Sequence, residues 1–135
     1  MFKIEPIQDK TRQKEICKLC FAEFRPDFFA YYMYDMTSGE PMGMSQFEIG
    51  DGYGYISELL PAPGCDDYEA MFILGRQTMN FIDLCGAHFC MASTDAGESS
   101  LLKAIGFKSA EGDRLVSDMT GMFDGHCDGH TVNYN

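Results

Sequence analysis

Short hydrophobic stretches recur along the chain, some alternating with polar residues and others rich in aromatic residues, which is the pattern of β-strands. The first four stretches are FKIEPI (residues 2–7), FFAYYMYDM (28–36), MGMSQFEI (42–49) and YGYISELL (53–60). The turn sequences TSGEP and GDG separate the last three of them, so these three predict an antiparallel meander.

Other stretches carry hydrophobic residues at helical spacing. They are DKTRQKEICKLCFAEF (residues 9–24), DDYEAMFILGRQTMNFIDLCG (66–86) and DAGESSLLKAI (95–105). Asp9 or Thr11 caps the first predicted helix, and Pro26 closes it. Gly86 and Gly106 follow the second and third helices as their C-terminal turns.

The remaining hydrophobic stretches complete a mixed sheet. HFCMAS predicts a buried strand between the last two helices, and FKSA and RLVSDMTGMF close the sheet. The order is β-α-β-β-β-α-β-α-β, which predicts the α/β class with a mixed, mostly antiparallel α+β sheet and helices on its faces. We expect one domain over residues 1–123 and a flexible C-terminal tail over residues 124–135.

Charge and composition narrow the list of partners. The formal net charge of -11 disfavours nucleic acid and anionic membranes, because both require a cationic surface. The chain starts MFKIEPIQDK, without the apolar run of a signal peptide, and no stretch approaches the roughly 20 apolar residues of a membrane span. We therefore expect a cytoplasmic protein whose six cysteines are mostly free, buried thiols.

The element order, with LLKAIGF after HFCMASTD, resembles the GNAT superfamily of acyl-CoA-dependent N-acetyltransferases. The family ends its fourth helix in a Tyr-x-x-x-Gly-Phe-like run, matched here by Gly106 and Phe107, and its frequent Asn at the start of that helix falls on Asp95. The family's spacing from Pro63 reaches Gly86. The resemblance implies a GNAT-like fold, acetyl-CoA as cofactor and a small amine as acceptor. An unrelated α/β domain is the alternative.

The loop that would bind the cofactor departs from the family pattern. GNAT proteins hold the CoA pyrophosphate in a Gln/Arg-x-x-Gly-x-Gly/Ala loop at the start of the long helix. With Pro63 as the anchor, Asp66, Glu69 and Met71 replace the three key residues, and an anchor on Pro61 also lacks both glycines. The carboxylates would repel an anionic ligand and could cap the helix themselves. The cofactor-binding candidates left by this match are Leu59, Leu60, Asp67 and Tyr68.

The catalytic groups implied by the resemblance are also incomplete. Pro61, which has no N–H, stands where the strand would offer backbone groups to the pantetheine arm. Leu102 takes the place of the Tyr that acts as general acid. Glu58 matches a catalytic carboxylate of some family members and is the candidate base. The alternative is a strand carboxylate that points into solvent.

Four tyrosines mark a candidate substrate cleft. At a period of two, Tyr32 and Tyr34 share one face of a strand, as do Tyr53 and Tyr55. The resemblance implies that this side of the sheet lines the acceptor cleft, and so many carboxylates would favour a cationic amine there. Half-buried packing within the sheet is the alternative.

Three further groups of residues have side chains that can serve as ligands or catalysts. Cys17 and Cys20 have the CxxC spacing of metal and redox sites, but both lie on an apolar helix face, so we expect core packing. We expect His88 to be a structural histidine. In the tail, FDGHCDGHTVNYN offers a candidate metal site whose ligands would come from Asp124, His126, Cys127, Asp128 and His130.

Three functional hypotheses remain open. The first is a divergent acetyltransferase-like protein with weak or lost acyl-CoA binding, acting as a ligand-binding or oligomerising module, for instance as a homodimer. The second is an active N-acetyltransferase that transfers an acetyl group from acetyl-CoA to a small amine through an altered binding mode. The third is a metal-binding protein that uses its His/Cys/Asp tail. We place the first hypothesis ahead, because it accounts for every substitution in the loop.

Overall fold

The alternating stretches form the strands of one sheet. The fold is that of a computed structural model, which describes residues 1–124. Its elements are β1 (Phe2–Pro6), α1 (Lys10–Leu19), β2 (Phe29–Asp35), β3 (Pro41–Ile49), β4 (Gly54–Pro61), α2 (Tyr68–Leu84), β5 (Phe89–Ser93), α3 (Ser99–Ile105), β6 (Lys108–Ala110) and β7 (Arg114–Asp118). The prediction of an α/β fold is confirmed, with a closing hairpin of two strands where the predicted order counted one.

The sheet has seven strands in the order β1-β2-β3-β4-β5-β7-β6. Among the described strands, β4 and β5 form the parallel pair, and the other neighbours are antiparallel. The mostly antiparallel sheet is therefore as predicted, and β1 lies at one of its edges.

Helices cover both faces of the sheet because successive strand residues point in opposite directions. On one face, α1 packs against the sheet in a small core; its buried members are Ile16, Cys17, Cys20, Met44 and Ala62. On the other face, α2 and α3 bury the larger core, which includes Met33, Phe47, Ile56, Leu59, Leu74 and Leu102. The prediction of core packing for Cys17 and Cys20 is confirmed, and burial raises the pKa of each thiol to about 11.

Two helices are shorter than predicted. The carboxylate of Asp9 caps α1 by accepting a hydrogen bond from the Thr11 N–H at 2.9 Å, but the helix ends at Leu19 rather than near residue 24. Phe21 then adopts a left-handed φ of 62°, which stops the helix. The third helix begins at Ser99 rather than Asp95.

An irregularity in β4 determines where the site lies. Gln46 of β3 pairs with Glu58, but the next residue, Phe47, pairs with Ile56, so Ser57 is an extra residue on β4. Such a bulge bends its strand and re-aims the side chains around it. The pairing of β4 with β5 ends at Ile56 and Ala92.

Candidate functional site

The space between β4 and β5 beyond their last paired residues is filled by the chain itself. The Leu59 N–H, on β4, donates a hydrogen bond to the Ala96 carbonyl oxygen at 2.6 Å. Ala96 is fully buried. A Cβ atom on Gly97 would lie 2.4 Å from the Leu59 carbonyl oxygen, so only glycine allows this close approach. Residues 94–97, which we name the wedge loop, therefore close the gap between the two strands.

The N-terminus of α2 is occupied by its own cap. The Asp67 carboxylate accepts a hydrogen bond from the Ala70 N–H at 3.0 Å. Asp66 and Glu69 lie exposed beside it. A carboxylate in this position satisfies a free N–H group and the positive end of the helix, which are the features that a bound phosphate would otherwise use. Asp67 thus has the capping role that the sequence suggested for these carboxylates.

The other residues matched to the family's cofactor and acid positions lie in different surroundings. Leu59 and Leu102 are fully buried in the larger core. Leu60 packs at the edge of the smaller core, and Tyr68 is 46% exposed in the first turn of α2. Pro61 ends β4 opposite Gly43. The roles of Leu59, Leu60, Asp67 and Tyr68 toward a cofactor remain predictions.

Glu58 is buried and paired with a cation. Only 8% of its side chain is exposed, so the alternative of a solvent-facing carboxylate is wrong. The Arg25 Nη2 atom donates to Glu58 Oε2 at 2.9 Å, and Nε lies 3.2 Å from both carboxylate oxygens. The Ser57 hydroxyl also donates to Glu58 Oε1. These contacts raise the pKa of Arg25, chiefly through its hydrogen bond to Glu58.

Gln46 connects Glu58 to the segment that follows α1. Its Nε2 donates to Glu58 Oε1 and to the Glu23 carbonyl, each at 2.8 Å. Its Oε1 accepts from Gln13 Nε2 at 2.9 Å and from the Arg25 N–H at 3.0 Å. Both glutamines are fully buried. This network holds residues 22–28 against the sheet and places Arg25 within hydrogen-bond distance of both carboxylate oxygens of Glu58.

Sequence reasoning missed this network. Its local signal was a glutamine among apolar residues in MGMSQFEI, since a buried amide requires partners. Those partners lie 33 residues away at Gln13 and 21 residues away at Arg25. Their proximity depends on the fold rather than on any spacing in the chain.

The four predicted cleft tyrosines lie in two places. The rings of Tyr32 and Tyr34 stack with centroids 5.4 Å apart. They line a groove of about 560 Å³ between β1, the start of α1 and β2, whose further lining residues are Glu5, Pro6, Ile7, Gln8, Asp9, Arg12 and Gly39. Tyr55 instead meets the Phe28 ring edge-on at 6.4 Å, and Tyr53 packs over Gly50.

The candidate metal ligands fall mostly in the tail, and His88 lies just before β5. Within residues 1–124, no three His, Cys, Asp or Glu side chains gather as metal ligands would. His126, Cys127, Asp128 and His130 lie outside the described residues. His88 has a structural partner, because its Nδ1 lies 2.5 Å from Asp83 Oδ1.

In the described part of the chain, no helix is both long and apolar enough to cross a membrane.

The comparisons with known proteins define the fold class. The sequence matches no protein-family model and no curated relative. Among solved structures, the chain resembles PaiA N-acetyltransferase from Thermoplasma acidophilum in complex with coenzyme A (TM-score 0.68, 11% identity, 87% of this chain and 99% of that one). It also resembles the IAA acetyltransferase from Bacillus cereus ATCC 14579 (TM-score 0.68, 14% identity, 87% and 99%).

A third similar structure covers almost the whole chain. It is the ribosomal-protein-S18-alanine N-acetyltransferase from Escherichia coli, with a TM-score of 0.68, 10% identity, and coverage of 99% of this chain and 100% of that one. The protein therefore has the GNAT acetyltransferase fold, as its LLKAIGF ending suggested. At these identities the likeness establishes the fold, and the activity has to be argued from the site.

Proposed function

We propose that this protein is a GNAT-fold ligand-binding module in which acyl-CoA binding is weak or lost. The observation that carries the proposal is the wedge loop, which fills the gap between β4 and β5 and takes up the Leu59 N–H. Resemblance to the family implies that the strand before α2, which is β4, offers its backbone groups to the pantetheine arm of the cofactor.

Opening the gap would require breaking contacts that are already satisfied. A pantetheine carbonyl oxygen could accept from the Leu59 N–H in place of Ala96, but the buried Ala96 carbonyl would then lose its donor. An unpaired buried polar group costs about 1–3 kcal/mol. Since 1.4 kcal/mol is a factor of ten, this step alone weakens the affinity roughly 5- to 150-fold.

The phosphate groups of the cofactor would meet a second barrier at α2. Asp67 already caps the helix, and Asp66 and Glu69 add exposed negative charge at the same end. Each like-charge contact at about 4 Å costs about 1 kcal/mol in bulk water, and more where the dielectric constant is lower.

The groups required for acetyl transfer are not available either. Leu102, at the position of the family's acid, is fully buried and cannot transfer a proton. Glu58, at the position of a catalytic carboxylate, is held by Arg25. Binding without transfer is therefore the function that this geometry supports best.

Calorimetric titration with acetyl-CoA and with free CoA tests the proposal. We expect no saturable heat up to about 1 mM ligand, whereas a low-micromolar Kd, about -7 to -8 kcal/mol, would refute it. A cooperative melt by circular dichroism shows that the sample is folded. PaiA N-acetyltransferase, whose structure contains coenzyme A, provides the positive control.

An active N-acetyltransferase is the second candidate, favoured by the burial of Glu58 on β4 at the family's carboxylate position. It predicts release of free CoA from acetyl-CoA in the presence of a panel of small amines. Turnover that is lost in a Glu58→Gln protein shown to be folded by circular dichroism, and kept in Glu48→Gln, would support this candidate. If none of the amines is acetylated, the proposal of a ligand-binding module without transferase activity stands.

A further inference from the structure

The groove lined by Tyr32 and Tyr34 lies at the β1 edge of the sheet, and β3 separates its strand β2 from β4. We propose that this groove binds a free aromatic amino acid, with the ligand ring against the tyrosines and its charged ends between Glu5 and Arg12. This inference rests on the proposed function, since it names the ligand class of the binding module.

Glu5 and Arg12 flank the same aromatic ring. Glu5 lies directly opposite Tyr32 in the pairing of β1 with β2, and residues so paired have Cβ atoms about 4.5–5.5 Å apart. The Arg12 Cζ atom lies 5.1 Å from the centroid of the Tyr32 ring. One negative and one positive side chain are therefore within reach of a single small head group.

The two opposite charges pair with other residues rather than with each other. Glu5 Oε2 lies 3.2 Å from Lys3 Nζ, and Arg12 Nη1 lies 3.8 Å from Glu15 Oε1. Both pairs are about half exposed, and exposed ion pairs of this kind contribute little to stability, so a ligand can replace them at small cost. A single ligand could place its ammonium group against Glu5 and its carboxylate against Arg12, two side chains that do not pair with each other.

The aromatic part of the ligand has a platform in the same groove. Tyr32 and Tyr34 stack at an interplanar angle of 25°, and the Tyr34 hydroxyl donates to Glu5 Oε2 at 3.1 Å. The hydrogen bond orients the Tyr34 ring beside the carboxylate. A further aromatic ring packed against such a pair gains stabilisation beyond that of its buried area alone.

The size of the groove agrees with this ligand class. Its volume of about 560 Å³ falls within the ordinary range of small-molecule sites, about 300–1,000 Å³. Its lining combines apolar side chains, such as Pro6 and Ile7, with a few charged groups. A ligand with an apolar ring and two opposite charges would contact the tyrosines, Glu5 and Arg12 together. A simple amine would have no group to pair with Arg12.

Titration of the full chain with L-phenylalanine, followed by amide chemical shifts in ¹H–¹⁵N NMR, tests the proposal. We expect saturable shifts at residues of the groove with a Kd below about 1 mM. Phenethylamine, which lacks the carboxylate, and 3-phenylpropionate, which lacks the ammonium, should each bind at least tenfold more weakly. Equal affinity for phenethylamine would overturn the zwitterion assignment, and absence of shifts in the groove would overturn the site.

Single substitutions test how much each side chain of the groove contributes to phenylalanine binding. Glu5→Gln and Arg12→Gln should each weaken phenylalanine binding tenfold or more, and Tyr34→Leu should weaken it by a similar factor. The matched controls are Glu111→Gln, just after β6, and Phe89→Leu, on β5, at exposed positions outside the groove, and they should leave the Kd unchanged. The titrations contain no CoA, so their failure would leave the proposed loss of acyl-CoA binding intact, and CoA binding would be detected independently of the groove.

Discussion

Replacement of Glu58 by glutamine tests whether this carboxylate is a structural anchor. In the wild type, Arg25, Gln46 and the Ser57 hydroxyl all donate hydrogen bonds to it. Glu58→Gln removes the charge that balances Arg25 and turns one acceptor oxygen into an NH₂ group that faces other donors. The variant therefore loses an ion pair and gains a mismatched contact.

The expected loss follows from the burial of the pair. Leaving one partner of a buried ion pair alone costs about 3–5 kcal/mol. The Arg25 side chain is 32% exposed, so water compensates part of this loss, and we expect about 2–3 kcal/mol. For a chain of this length, 1 kcal/mol lowers Tm by about 3–4 °C, so Tm should fall by roughly 6–12 °C.

Urea denaturation followed by far-UV circular dichroism provides the measurement, with an unchanged m-value as the sign that only stability has changed. Glu23→Gln is the matched control, because Glu23 also pairs with Arg25, at 3.8 Å, but is 75% exposed. It should cost less than about 0.5 kcal/mol. The double variant Arg25→Met/Glu58→Met should be less destabilised than the sum of its single variants. A Glu58→Gln protein within about 0.5 kcal/mol of wild type would show that the pair does not anchor the fold.

Three further predictions concern the wedge loop, the cap of α2 and the buried thiols. Gly97→Ala places a Cβ 2.4 Å from a β4 carbonyl oxygen and should cost about 1–3 kcal/mol in urea denaturation; unchanged stability would argue against a closed gap. Asp67→Ala should cost about 1 kcal/mol, and Asp66→Ala, at the exposed neighbour without a capping bond, much less. Because burial raises the pKa of Cys17 and Cys20 from 9.0 to about 11, their contribution to stability is complete below pH 9 and is lost as pH rises through 11. Removal of both thiols in Cys17→Ala/Cys20→Ala should flatten this alkaline loss in pH-dependent melts, and an equally steep loss would contradict their role.

Local patterns were sufficient for most of the fold. Alternation located the strands, Asp9 marked the start of α1, and Gly86 and Gly106 followed the ends of α2 and α3, because each signal depends on neighbours within a few residues. The start of α3 was misplaced because Ala96 and Gly97 read as helical in sequence. In the structure they pack against β4, a tertiary contact that local propensity cannot indicate.

The candidate site depended on features without a local signal. The bulge at Ser57 determines which way Glu58 points, and no spacing in YGYISELL indicates an extra residue there. The buried network of Gln13, Gln46 and Arg25 joins segments that meet only in the folded chain. The resemblance marked Asp67 and Glu58 as candidate site residues, and their partners in the fold, the Ala70 N–H and Arg25, follow only from the structure.

The hydrogen bond from Leu59 to Ala96 has a consequence for the cooperativity of the sheet. An amide bonded within the chain and buried in the core exchanges its hydrogen with water only when that region unfolds. The Leu59 amide should therefore exchange as slowly as those of the paired strands, without any ligand present. Because Ala96 already accepts the hydrogen bond from the Leu59 amide, a bound cofactor would add no stability at this position. The melting temperature should therefore stay constant as the CoA concentration changes.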